Sequence, residues 1–418
     1  MIDLIHAPAG TLRGVPVGGA VTAFLGIPYA RAERFAAPQR MRWDGVLDAA
    51  RPGLAAPQPR TSRLEHVIGP GSDLHGGDLH HGEDCLSLNV WTPGGSGLPV
   101  LVWLHGGGFL AGSGAQAWYD GALLAGRGRM VVVTVNYRLG ALGYLYLTPQ
   151  FAPANLGLLD QIAALDWVRE NISTFGGDPD RITLAGQSAG ALSALALPGH
   201  PTGRELFRQV ILQSTPTGVR PYSIGDAAEI GQIFLDVLGL RSSDAERLRT
   251  LPLADLLAAQ EQVARRSAQP VGVTPPFQLV AADGVPADLT AGAREEVPML
   301  IGTTRDEARA FFPQAGAGLT ARLFRDGSLR LAEQVRPAHV YQFDWSPPGS
   351  QFGACHCIEL PFVFGNLDAW RASPMLVGAE RAQLDRLVTH VQSAWTVFVH
   401  RSSPGWPAFP HVQHITLT

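Results

Sequence analysis

Residues 182–190 read Ile-Thr-Leu-Ala-Gly-Gln-Ser-Ala-Gly, a short apolar run that ends in the chain's only match to GxSxG. The run has strand length and strand composition, and small residues follow Gly190, so the stretch reads as strand, sharp turn, helix. Such a turn holds its central residue, Ser188, in a strained backbone. It also brings the following helix so close that only very small side chains fit two residues to either side. Gly186 and Gly190 meet that demand. The turn lifts the Ser188 hydroxyl above a sheet edge and aims the positive end of the helix dipole at any negative charge developing there.

Working outward, strand-like and helical runs alternate, which predicts an α/β sheet. The expected strands are 87–92, 98–104, 130–135, 209–214, 297–302 and 339–345, with β-rich segments at TLRG and AVTAFLG near the start. Expected helices cover NLGLLDQIAALDWVREN, a stretch from Ala189, one near 225–268, and a long amphipathic helix near 377–399 that closes the fold. Asp178-Pro179 marks a turn. No repeat, low-complexity tract or linker interrupts the 418 residues, which predicts one domain over 1–418 with helical cap elements at about 216–290.

Composition excludes several chemistries. All 32 basic residues are arginine, because the chain contains no lysine. A GxxxxGK[ST] nucleotide loop, a pyridoxal Schiff base and an SxxK hydrolase each need a lysine, so no cofactor is expected from these routes. With 36 acidic residues against 32 basic, a phosphate-tracking surface for nucleic acid is not expected. The longest apolar runs fall far short of a membrane span, and MIDLIHAPAGTLRG lacks the apolar core of a signal peptide. A soluble, cytoplasmic protein is expected. Three cysteines, Cys85, Cys355 and Cys357, do not form a disulfide framework.

His356 stands between Cys355 and Cys357. Structural zinc takes about four ligands in two separated pairs, and Cys85 is alone upstream, so the two cysteines read as small core residues and no metal is expected. His75, His80 and His81, with Asp73 and Asp78, read as a solvated loop.

A serine hydroxyl needs a base, and the base needs an orienting acid. In this strand-turn-helix architecture both follow the serine, acid first. The strand at 297–302 leads into TTRDEARAFF with Asp306 and Glu307, and the strand at 339–345 leads into the loop holding His356. Residue order leaves Asp306 and Glu307 open as the acid. Upstream, His105-Gly106-Gly107-Gly108-Phe109 follows a strand, and its glycines leave amides unshielded that can converge on one oxygen as an oxyanion hole.

FLGIPYA, EDCLSLNVWTP, HGGGF, NYRLGALGYL, NLGLLDQ, FGGDPDRITLAGQSAGA, GTTRDEA and GACHCIELPFVFGNL occur in that order over nearly the whole chain. Together they resemble the type B carboxylesterases, the cholinesterase-like branch of the α/β-hydrolases. The resemblance implies an α/β-hydrolase fold with a mostly parallel sheet, and hydrolysis of small-molecule carboxylic esters without a cofactor. It implies Ser188 as nucleophile, His356 as base and Glu307, rather than Asp306, as acid. The oxyanion donors would be the N–H groups of Gly107, Gly108 and Ala189, and Ser214 would support the triad from behind. Cys85, which relatives pair with an earlier cysteine, is expected to be free because residues 1–84 contain none. Residues 60–82 hold no tryptophan, so a choline site is not implied. Ala308 replaces the glycine that usually follows the acid, and the Glu307–His356 interval is short at 49 residues, which predicts a more open pocket. Two other readings belong to the same fold: an amidase or peptidase, and a non-catalytic binding protein.

Overall fold

Val131, Val133 and Val135 point to one side of a sheet and Val132 to the other, and the same alternation in neighbouring strands divides the interior into two cores. These residues lie in a ten-stranded sheet in the computed structural model of the chain, which describes residues 4–59, 64–267, 272–290, 293 and 296–417. Its strands are β1 (Val15–Gly18), β2 (Val21–Pro28), β3 (Ser87–Thr92), β4 (Leu98–Leu104) and β5 (Val131–Val135). They continue with β6 (Gly177–Gln187), β7 (Gln209–Gln213), β8 (Met299–Thr304), β9 (Ala338–Phe343) and β10 (Val412–Ile415). The spatial order is β10-β9-β8-β7-β6-β4-β5-β3-β2-β1.

From β5 to β10 every pairing is parallel, and β1, β2 and β3 join antiparallel at the far edge. Parallel strands need helices on both faces, which explains why β5 and most of β4 are buried throughout. On one face pack α1 (Leu156–Asn171) and α2 (Ala189–Ala196), through residues such as Leu158, Leu165 and Leu195. Trp103, Ile211 and Leu300 face the other core, which Leu387, Val391, Trp395 and Phe398 fill from the C-terminal helix, Arg381–Arg401. The fold is that of an α/β sheet with helices on both sides, as the run pattern predicts.

Three boundaries differ from the sequence reading. Asp178-Pro179 lies within β6, where register jumps from Gly177↔Leu98 to Ile182↔Val100. Residues 178–181 loop out there because proline has no N–H to give the ladder. The long helix starts at Arg381, after Gly378 at φ +88°. It does not close the fold, since β10 follows it and adds in parallel to β9. Within the expected cap region, helices Ile224–Val237 and Leu253–Arg266 pack together, and Gln260 Oε1 accepts the Ala141 N–H at 2.9 Å. Residues 268–271 of that stretch, 60–63 of the upstream loop and 1–3 of the start lie outside the described residues.

The parallel arrangement sets the C-terminal ends of β4, β6, β7, β8 and β9 along one edge. That is where ligands of open α/β sheets are handled, and where all the candidate residues fall.

Candidate active site

Ser188 follows β6 directly with φ 55° and ψ −120°, a conformation that a non-glycine residue adopts only when its surroundings enforce it. The enforcement is visible in the glycines. A Cβ on Gly190 would fall 2.1 Å from Leu104 O, and one on Gly186 would fall 2.5 Å from the Gly190 carbonyl. Register pairs Gly186 with Leu104, which brings the loop after β4 alongside the serine. The Ser188 N–H donates to Gln213 O at 2.9 Å, fixing the turn to β7.

In that loop Gly107 and Gly108 have φ of 116° and 64°, and a Cβ on Gly107 would meet Ala111 O at 1.9 Å. The loop is braced rather than loose: Leu110 and Ala111 N–H groups both donate to Gly107 O at 3.1 Å, and Tyr137 Oη–H donates to His105 O at 2.6 Å. Among the described residues the Gly107 and Gly108 N–H groups donate to no protein acceptor, and Ala189 N–H opens α2, where no preceding carbonyl reaches it. His105 stacks on Tyr137 at 4.4 Å, donates Nδ1–H to Gly106 O at 2.8 Å, and burial pushes its pKa down to about 4. It is a neutral brace for the loop.

Glu307 and His356 meet. His356 Nδ1 donates to Glu307 Oε2 at 2.6 Å, with side chains 1% and 0% exposed, and Glu307 Oε1 accepts the Thr304 N–H at 2.8 Å. Phe311 and Phe324 flank the imidazole, each with its ring centroid 5.2 Å away. Asp306 points elsewhere. Its Oδ2 accepts the Ala354 N–H at 3.0 Å while its own N–H donates to Ala354 O at 2.8 Å, a two-bond clasp between the acid and base loops. The remaining ring nitrogen, His356 Nε2, lies 3.2 Å from the Gln187 side-chain amide nitrogen. Ser188 is half-buried, and among the described residues its Oγ forms no hydrogen bond, to His356 or to any other group. The pair Glu307–His356 is therefore assembled, and the serine stands beside it unlinked.

Sequence reading missed Glu359. This fully buried carboxyl, three residues after His356, accepts from Ser214 Oγ at 3.1 Å and Gln213 Nε2 at 3.5 Å, and its Oε2 has no partner among the described residues. Ser214 thus meets this second carboxyl rather than Glu307 or His356. The only sequence signal was the HCIE spacing, which does not reveal burial. Desolvation, and next the neighbouring Glu307, push the Glu359 pKa up to about 7, with His356 opposing. An unfolded chain ionises this group near its ordinary 4.5. Between the two values folding takes up a proton, so the contribution to stability is full below 4.5 and is lost as pH rises through 7. Glu359→Gln is expected to lose less melting temperature than the native protein between about pH 5 and about pH 8. Equal losses in a thermal melt series would refute the assignment.

Cys355 and Cys357 are buried, with burial raising both thiol pKa values, and Cys85 is buried and pushed up to about 12. All three are free. Among the described residues no group of histidine, cysteine and acidic side chains could hold a metal, the His75, His80 and His81 loop included.

A mostly parallel sheet, a strained serine turn after a central strand and an acid and histidine delivered by later strands define an α/β-hydrolase. The carboxylesterase family model matches residues 3–322. A probable N-octanoylanthranilate hydrolase of Rhodococcus erythropolis is 40% identical, over 97% of this chain and 95% of its own. The para-nitrobenzyl esterase of Bacillus subtilis is 36% identical over 99% and 94%. The solved structure of a thermophilic pNB esterase superimposes with a TM-score of 0.89 at 33% identity, covering 100% of this chain and 96% of that one. The chain belongs to the carboxylesterase family, type B, and is a carboxylic ester hydrolase.

Proposed function

We propose that the protein hydrolyses small carboxylic esters through an acyl-enzyme on Ser188, with His356 as general base and Glu307 as its orienting acid. The observation carrying this reading is the 2.6 Å bond from His356 Nδ1 to Glu307 Oε2 behind a serine held at φ 55°. Ser188 Oγ attacks the ester carbonyl carbon and passes its proton to His356 Nε2. The carbonyl oxygen takes the electron pair and sits among the N–H groups of Gly107, Gly108 and Ala189, where one such donor is worth about 3 kcal/mol. Collapse expels the alcohol, which carries away the proton from Nε2. Water, deprotonated by the same nitrogen, then attacks the acyl carbon, releases the acid and returns the proton to Ser188. Glu307 holds the imidazole in the required tautomer and stabilises it when charged. Free, buried thiols support a reducing compartment, and we place the enzyme in the cytoplasm.

A fluorophosphonate is expected to add one phosphonyl group to the peptide carrying Ser188, as read by mass spectrometry. A label on a different serine would sink the assignment. One observation favours a second reading: a relative at 40% identity is named for cleaving an N-acyl compound. A matched ester and anilide of the same acyl chain separate the two by their kcat/KM ratio.

A further inference from the structure

The lone pair that the mechanism needs is already occupied. With its Nδ1–H given to Glu307, a neutral His356 presents Nε2 as a bare acceptor, and only a donor fits opposite it. The group there is the Gln187 carboxamide nitrogen, at 3.2 Å. The same nitrogen reaches Cys357 Sγ at 3.4 Å, so both amide hydrogens have acceptors. The amide oxygen lies against Gly106, where a Cβ would come within 2.4 Å of it. The side chain is 2% exposed, and with its nitrogen toward Nε2 and Cys357 Sγ the amide satisfies both acceptors.

We propose that Gln187 is a positioning residue: its carboxamide donates to His356 Nε2 and holds the imidazole neutral and aimed until substrate brings Ser188 Oγ to that nitrogen. This rests on the reading of His356 as the base. A hydrogen bond to the neutral form of a base disfavours its protonated form, a carboxylate in the same place favours it, and an isosteric thioether does neither. The other titratable groups packed around the ring and its carboxylates are Glu307 from the loop after β8, Tyr341 from β9, Tyr119 from the 117–119 turn, and Glu359, Cys355 and Cys357 from the base's own loop. Of these only Cys357 touches Gln187, and although a substitution at 187 removes that 3.4 Å contact, burial holds the thiol protonated well above the pH range of the acid limb.

The test compares native protein, Gln187→Met and Gln187→Glu. The pH dependence of kcat/KM on p-nitrophenyl acetate is measured, and the downfield His356 Nδ1 proton is followed by NMR, which needs no turnover. The acid limb is expected to move to higher pH in the order native, Met, Glu, the last by about one unit or more. An acid limb at the same pH in all three, with only kcat lowered, overturns the proposal and leaves Gln187 a packing residue. Should native hydrolysis survive Ser188→Ala, the function reading fails on its own. The NMR midpoints still decide this proposal: the same order supports it, and one shared midpoint overturns it.

Discussion

Replacing Ser188 by alanine is expected to lower ester hydrolysis on the order of a million-fold while the fold stays intact, because loss of the nucleophile alone removes nearly all that a triad contributes. The fold should tolerate the change. Ser188 Oγ makes no hydrogen bond among the described residues, and its backbone bond to Gln213 O does not involve the side chain. Alanine keeps the Cβ at φ 55° and removes only an oxygen without a hydrogen bond among the described residues, so the melt should shift little. Steady-state rates on a p-nitrophenyl ester, with a thermal melt as control, check both halves. Activity reduced only several-fold with an unchanged melt would mean that another group attacks the substrate.

The second large effect belongs to Glu307. Glu307→Gln keeps the shape but replaces a carboxylate by an amide that no longer fixes the Nδ1–H tautomer or stabilises the imidazolium. Turnover is expected to fall by about 10³ to 10⁴ with KM little changed. Asp306→Asn is the informative companion. Asparagine Oδ1 can still accept the Ala354 N–H that Asp306 Oδ2 accepts at 3.0 Å, so turnover should remain within several-fold of native. The opposite pattern would move the acid role to Asp306.

The parts of this site legible in the sequence are those dictated by local sterics. GxSxG and HGGG place glycines where any side chain would collide with backbone, so the residues themselves announce the turn. The central strands were legible for a related reason, since burial on both faces demands unbroken apolar runs. Asp306 and Glu307 were different. They are consecutive carboxyls on one turn, and which of them reaches a histidine 49 or 50 residues on depends on the path of the loop between. Family resemblance, not residue chemistry, favoured Glu307, and the contact with His356 lies there. Glu359 and Gln187 were illegible because a carboxyl in HCIE and an amide in GQSAG look like any polar residue until packing buries them. β10 is not legible because four residues beyond a long helix, of which only the first and last are apolar, give too little pattern.

The clasp between Asp306 and Ala354 has an engineering consequence. Together with the pairing of β8 to β9, it ties off both ends of the excursion that separates the acid from the base. The tip at 348–351, exposed or half-buried between the core residues Trp345 and Phe352, can therefore be treated as an exchangeable insert. Grafting longer or differently shaped segments there would change the surface beside the clasp while the 2.6 Å contact between Glu307 and His356 stays put.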